Sequence, residues 1–194
     1  MSNTNIARQT IRSTVSDRHI TQAELEAFAA GGELLDFDGC SFVGTRFDAL
    51  CVSGWHFYGC DFDAVSFARG KLSDVRWFGC QGRNASFRGA RLERARFKDS
   101  LFAMTDWDES VLQDGVFDAV DLRDAWFAGA SLQDVAMFET VGADLTQAQV
   151  NFTKFHATRQ QDSELEDSSV PAGVAARHPS AGACCFSRLL GSSV

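Results

Sequence analysis

The chain has 194 residues, which fits one domain with free ends, and a formal net charge of −8 at neutral pH. This acidic balance argues against a general binder of nucleic acids or anionic membranes. No apolar run resembles a signal peptide or could span a membrane, so the sequence predicts a protein of the cytoplasm, or one secreted into host cells without a cleaved signal peptide.

Two short segments are predicted at the amino terminus. Residues 1–18 are rich in Ser, Thr and Asn and lack an apolar period, which predicts a disordered tail. Residues 19–32 are predicted to form a capping helix, because Thr21 and Glu24 have the spacing of a capping box and the pair Gly31-Gly32 ends the pattern.

Residues 33–158 repeat every five residues. In steps of five from Phe37 to Met137, twenty of the 21 residues are large and apolar, with Gly82 as the exception, and a mostly small residue stands two places before each. Neither a helix nor a flat strand keeps residues five apart on one face, so the chain must turn once per repeat.

Sorting the central residues by a period of 20 separates them into distinct columns. One column is entirely aliphatic, one is entirely aromatic, and four sides per coil is the simplest explanation. Residues 35–139 then make about five to six coils of an all-β solenoid with strands about 4.8 Å apart. The aliphatic column is Val52, Leu72, Leu92, Leu112 and Leu132, and the aromatic column is Phe47, Phe67, Phe87, Trp107 and Phe127.

Segments such as residues 85–89, 90–94 and 125–129 resemble the pentapeptide-repeat family, whose pattern is a central Phe or Leu with Ala or another small residue two places earlier. Family members form right-handed, four-sided parallel β-helices. The resemblance therefore implies that handedness here, and it implies that residues 19–32 cap the amino-terminal end. It also implies a binding protein and not an enzyme.

Two irregularities interrupt the repeat. Gly82 leaves a gap in its core column, which predicts a local bulge or the inward shift of a neighbour. After Met137 the pattern restarts three residues out of phase, which predicts an inserted loop near Val141 and Gly142. Residues 159–194 are polar and small, and are predicted to be a disordered tail.

The residues that carry chemistry do not form a recognisable catalytic set. Cys40, Cys60 and Cys80 recur every 20 residues, which raises a metal or redox hypothesis, but each occupies the small inward position where cysteine acts as a compact hydrophobe. The four histidines are scattered along the chain. We therefore expect no catalytic site, metal or cofactor.

Charge is segregated along the chain. Residues 69–98 hold nine basic residues and two acids, a net charge of +7, whereas residues 99–144 hold eleven acids and one base, a net charge of −10. The pattern predicts a basic belt around the middle coils, followed by an acidic half. The basic belt comprises Arg76, Arg83, Arg88, Arg91, Arg94, Arg96 and Lys98.

Apolar residues among the acids are the candidates for partner binding. Trp126 beside charged residues is typical of an interface anchor, although such side chains also pack under loops or a terminal tail. The predicted partner-binding residues are Leu101, Met104, Asp106, Asp108, Asp114, Val116, Asp118, Asp121, Asp124 and Trp126.

Two functions remain open. The first is a macromolecule-binding scaffold that acts on a protein partner. This scaffold is hypothesised to be a bacterial effector bound to a host protein, because its Ser/Thr-rich start resembles type III export signals. Cys184 and Cys185 would attach it to a membrane only if acylated, and Ser192-Ser193-Val194 fits a PDZ ligand.

The alternative is a DNA mimic that binds and protects DNA gyrase or another type II topoisomerase, as some family members do. Direct binding of nucleic acid is not expected in either case. The carboxyl-terminal end of the rod would need a cover, either the tail or a second copy in a homodimer.

Overall fold

Each five-residue repeat forms a short extended segment, either a strand or a single β-bridge, followed by a tight corner. The central residue and the residue two places before it point inward and are buried, while the residues between and after them face outward. The residue at the corner has a positive φ, as at Asn84 (φ 56°) and Gly89 (φ 64°). The computed structural model describes residues 11–156 of the chain.

The described residues contain one helix and a series of short strands. In chain order they are β1 (Ser13–Ser16), α1 (Gln22–Gly31), β2 (Leu35–Asp38), β3 (His56–Tyr58), β4 (Arg76–Phe78), β5 (Arg91–Glu93), β6 (Arg96–Lys98), β7 (Val111–Gln113), β8 (Val116–Asp118), β9 (Asp121–Trp126), β10 (Ser131–Gln133), β11 (Ala136–Phe138), β12 (Val141–Asp144), β13 (Gln149–Asn151) and β14 (Lys154–His156).

All strand pairs are parallel, and most join residues 20 apart, so four repeats make one coil. This confirms the predicted four-sided all-β solenoid. We number the sides by the core residues of one coil: side I holds Phe37, side II Phe42, side III Phe47 and side IV Val52. Side I is an eight-stranded sheet in the order β1-β2-β3-β4-β6-β8-β11-β14, and side IV is a sheet in the order β13-β10-β7-β5.

The solenoid has about seven coils, more than the five to six predicted. One part of the solenoid that the sequence did not predict is a strand at the amino terminus. Residues 13–16, predicted to be disordered, form β1 in register with β2. That part of the prediction is wrong, because main-chain pairing and the Arg12 side chain hold the strand without an apolar pattern. Arg12 contacts Asp36 at 2.5 Å and donates to the backbone oxygens of Leu35 and Gly54.

Helix α1 covers the amino-terminal end of the rod. Its capping box forms as predicted, with Thr21 as the N-cap, and Phe28 packs edge-on against Phe37 at 5.7 Å. The Gln22 side chain both donates to and accepts from the backbone of Arg46 (3.1 and 2.8 Å), so it takes the place of a preceding strand. With ten residues, α1 is too short for a membrane span, and it is the only helix in residues 11–156.

The core is a set of stacked rings that run along the rod. Trp77 and Phe97 stack at 4.3 Å, and Phe87 and Trp107 at 4.1 Å. At Gly82 the backbone pairing is regular, with its N–H 2.8 Å from the oxygen of Leu101, so no bulge forms. The ring of Phe102 leans into the vacant volume instead, which is the predicted inward shift of a neighbour.

The last coil is shorter than the others, and no loop is inserted there. Met137 pairs with Phe155, 18 residues away, so the phase change is a loss of two residues and the predicted insertion is wrong. The difference is absorbed where β12 pairs with β9, at an irregularity between Val141 and Ala143. The predicted tail at residues 159–194 lies outside the described residues.

We expect Trp77→Phe to destabilise the protein less than Trp107→Phe. The indole N–H of Trp107 donates to the Thr105 hydroxyl at 2.8 Å, whereas the buried indole N–H of Trp77 has no acceptor. Losing a buried hydrogen bond costs about 1 kcal/mol, while removing an unsatisfied buried donor relieves a penalty. Urea denaturation of both variants measures the difference, and equal destabilisation would contradict this explanation.

Candidate protein-binding surface

The cysteine column is part of the core. Cys40, Cys60 and Cys80 are buried, and their thiols donate to backbone oxygens, as from Cys60 to the oxygens of Phe37 and Tyr58. A hydrogen bond with the Cys80 thiol, together with burial, raises the pKa of Cys60. Burial likewise raises the pKa of Cys40. The three thiols therefore act as small core residues.

We expect Cys51 to be the one thiol of residues 11–156 that reacts in the native protein. Cys51 is exposed, whereas the other three thiols of this region are buried. The test is titration with a thiol reagent in a Cys184→Ser/Cys185→Ser background, before and after denaturation. Rapid reaction of Cys60 in the folded protein would overturn the structural role of the column.

The basic belt lies on all four sides of the rod, and its members differ in pairing. Arg88 contacts Asp108 (3.5 Å) and Glu109 (3.0 Å), both one coil further along. Similar ion pairs bind Arg94 to Asp74 at 2.7 Å and Lys98 to Asp118 at 2.6 Å. Part of the belt therefore neutralises acids of neighbouring coils. Arg76 and Arg96 lie on side I, Arg83 on side II and Arg91 on side IV, each without an ion pair among the described residues.

Three exposed apolar side chains lie on sides II and III and at the corner between them. Leu101 is 42% exposed on side II, Met104 is 42% exposed at the corner and Trp126 is 45% exposed on side III. Asp121 lies in register beside Leu101, and Asp106 lies in register beside Trp126. We call this surface the corner patch. It combines an aromatic anchor with flanking carboxylates.

The carboxylates of the corner patch are held in place by local bonds. Burial opposes the ionisation of Asp121, but hydrogen bonds from the side chain and backbone of Arg123 lower its pKa below the ordinary value. Asp106 accepts from the backbone N–H of Asp108 at 2.9 Å. One oxygen of Asp108 is buried without a hydrogen-bond partner while the other faces Arg88. These contacts therefore hold negatively charged carboxylates in fixed positions around the apolar side chains of the corner patch.

The structure brings together only part of the predicted partner-binding set. Leu101, Met104, Asp106, Asp108, Asp121, Asp124 and Trp126 surround the corner between sides II and III. The remaining three lie elsewhere: Asp114 at the corner between sides IV and I, and Val116 and Asp118 on side I. Val116 is half-buried between Arg96 and Ala136, so it is less exposed than predicted.

A pair of aromatic side chains on side I was not predicted from the sequence. Tyr58 and Phe78 occupy the same outward position on adjacent coils, and their rings stack at 5.6 Å with planes 20° apart. Sorting the outward positions by the period of 20, as was done for the core, would have revealed the pair. Near it, Asp36 accepts from Arg12 and lies 3.2 Å from the His56 ring.

Comparison with known proteins agrees with this geometry. Residues 35–107 match the family model described as the pentapeptide repeat region. This chain contains a pentapeptide repeat region. In the described part of this repeat protein, no group of three His, Cys, Asp or Glu side chains is arranged to hold a metal ion.

Several solved structures resemble this chain at low sequence identity. A trypsin-treated variant of QnrB1, a plasmid-mediated fluoroquinolone resistance protein, is 14% identical (TM-score 0.46; 78% of this chain and 84% of that chain covered). A pentapeptide repeat protein of the Arabidopsis thaliana thylakoid lumen is 21% identical (TM-score 0.42; 63% and 70%). HetL from the cyanobacterium Nostoc, involved in regulating heterocyst differentiation, is 15% identical (TM-score 0.29; 80% and 85%). No curated protein matches the sequence significantly.

Proposed function

We propose that this protein is a non-enzymatic scaffold that binds a protein partner through the corner patch. The observation that carries the proposal is the exposed Trp126 beside Met104 and Leu101, with carboxylates in register on two sides. Aromatic side chains in such settings contribute strongly to protein interfaces when they are desolvated. The surrounding acids favour a partner whose docking segment is apolar and basic.

The corner patch is tested by site-specific photo-crosslinking. A photoreactive residue at position 126 is expected to capture a discrete partner in cells, whereas the same residue at position 43 is not. Val43 is the matched control because it is 41% exposed but lies on side II, three coils before Leu101. Absence of a crosslinked protein at position 126 would reject the patch as an interface.

With the captured partner purified, we expect Trp126→Ala to weaken binding at least about tenfold, as is typical of an aromatic hot spot. Val111→Ala is expected to leave affinity unchanged, because the exposed apolar surface that it removes lies on side IV, away from the patch. Titration calorimetry measures both variants. Equal loss in the two variants would show that the effect is not specific to the patch.

The scaffold is further proposed to be a bacterial effector that acts on a host protein. This rests on the Ser/Thr-rich start of the sequence, on Cys184 and Cys185 and on the terminal Ser-Ser-Val, all but part of the start outside the described residues. Translocation of a reporter fused to residues 1–30 tests the export signal. Deleting residues 2–10 from the full chain is the sharper variant, because it leaves β1 and α1 intact.

A DNA mimic that protects gyrase is the second candidate function, and the acidic half favours it. Residues 99–144 carry a net charge of −10 over little more than two coils, and their acids lie on sides I, II and III and at all four corners of the rod. Duplex DNA carries about one charge per 1.7 Å of axis. Ion pairs to Arg88 and Lys98 reduce the likeness. Gyrase supercoiling assays with and without a quinolone would reject this function if micromolar protein had no effect.

A further inference from the structure

Four basic side chains on the adjacent sides IV and I lack an ion-pair partner among the described residues. Lys71 and Arg91 are neighbours in register on side IV, and Arg76 and Arg96 are neighbours in register on side I. All four are exposed. Like charges in register on adjacent strands repel each other. The protein therefore concentrates positive charge here that its own acids do not neutralise by contact.

At the corner between sides IV and I, an arginine already binds a carboxylate of the protein itself. Between the two unpaired couples, Arg94 donates from Nε and Nη2 to the two oxygens of Asp74 at 2.7 and 2.8 Å. This two-point contact is the strongest geometry for a guanidinium and a carboxylate. Asp74 satisfies Arg94 and lies close enough for the charge of Arg76 to contribute to its lowered pKa, but neither Arg76 nor Arg96 has such a contact.

An aromatic surface adjoins the unpaired arginines on side I. Phe78 follows Arg76 by two residues on β4, so both project from the outer face of the same strand. Tyr58 stacks on Phe78 from the preceding coil and is 36% exposed. Phe78 itself is half-buried, so the pair is partly accessible, and arginine and aromatic residues are types enriched at protein interfaces.

The extent of the positive surface restricts its ligand. It covers two coils: Asp114 and Asp134 continue the corner towards the carboxyl terminus, Asp38 precedes Tyr58 on side I, and Glu93 follows Arg91 on the outer face of β5. Sites for single-stranded nucleic acid extend over at least about four nucleotides. A polyphosphate chain of that length would run from the positive surface onto these acids. A short anionic segment avoids them.

We propose that Arg76 and Arg96, with Lys71 and Arg91 alongside, form a second docking site that binds a short acidic segment of a protein partner. The carboxylates contact the two arginines, and an apolar side chain of the segment packs on Phe78. The corner between sides IV and I is diagonally opposite the corner patch in a four-sided coil. The protein can therefore hold two partners at once, and this site does not depend on the function proposed for the corner patch.

The test is fluorescence polarisation with the full chain and a short labelled peptide of Glu residues around one Phe. We expect Arg76→Glu/Arg96→Glu to weaken binding at least about tenfold, as reversal of paired charges does at interfaces. The matched control is Arg46→Glu/Arg83→Glu, which changes net charge equally but alters two exposed arginines on sides III and II that also lack an ion pair among the described residues. Circular dichroism verifies that both variants fold, and Phe78→Ala separately measures the aromatic contribution.

Any of four other results would overturn the proposal. Equal weakening in both double variants would mean that net charge and not this site binds the peptide. Tighter binding of a short oligothymidine than of the peptide would make the site one for nucleic acid. Concentration-dependent self-association that Arg76→Glu/Arg96→Glu abolishes would make the occupant a second copy of this chain. No measurable binding of the peptide at low salt would remove the site altogether.

Discussion

Gly82→Leu is expected to destabilise the protein strongly, and removal of one ring should restore much of the loss. A Cβ atom at position 82 would lie 2.8 Å from Cδ1 of Phe102 and still closer to Cε1. That ring is fixed by edge contacts to Phe87 (5.8 Å) and Phe97 (5.3 Å), so it has nowhere to move. Overpacking of this kind costs about 1–3 kcal/mol, and more when a full side chain is added.

Phe102→Ala alone should cost about 3–5 kcal/mol, because it leaves a cavity beside Gly82. In the double variant Gly82→Leu/Phe102→Ala, the new side chain occupies that cavity, so we expect a cost well below the sum of the two single variants. Denaturant unfolding of all three variants measures the coupling. Additive costs would show that the ring of Phe102 does not fill the space at residue 82.

Gly115→Ala is the control for this cycle. Gly115 is also buried and has no positive φ, but its nearest neighbours to an added Cβ are the Ala95 oxygen at 3.6 Å and Val135 at 3.9 Å. Those are ordinary contacts. We therefore expect this substitution to be neutral or slightly stabilising, by about 0.4–1 kcal/mol, through the entropy of the unfolded chain.

Gly142→Ala is expected to destabilise the last coil by more than about 1 kcal/mol, beyond the usual cost of placing alanine at positive φ. Gly142 has φ 78°, and an added Cβ would lie 2.6 Å from the Cα atom of Arg123. Backbone cannot yield as a side chain can. This close approach occurs where β12 pairs irregularly with β9 after the loss of two residues.

Gly129→Ala is the control that separates the cost of a positive φ from the cost of the close backbone contact. Gly129 also has a positive φ, 67°, but the nearest atom to an added Cβ is Cγ of Glu109 at 3.8 Å. Other corners of the rod already carry alanine, as at Ala64 (φ 57°). Hydrogen exchange of β13 and β14 should therefore increase in Gly142→Ala and change little in Gly129→Ala. Equal effects would assign the cost to φ alone.

The outward-facing residues illustrate where sequence reasoning stopped. Trp126 was recognised as exposed because the repeat assigns its position outward, and it is. Its neighbours in space required the coil geometry, since Leu101 and Met104 come from the preceding coil. Val116 was grouped with them because of its place among the acids, but it lies on side I, where its strand pairing half-buries it.

The sequence by itself determined the repeat, the four sides, the capping helix and the burial of the ring columns, because a period of five with large apolar groups can be buried only if the chain turns once per repeat. Only the tertiary structure decided how the exceptions were accommodated. β1 is held by Arg12 and main-chain pairing, Phe102 fills the space beside Gly82, and the last coil loses two residues. Which charges are neutralised also depends on contacts between coils, since residues 20 apart in sequence lie one strand apart in space.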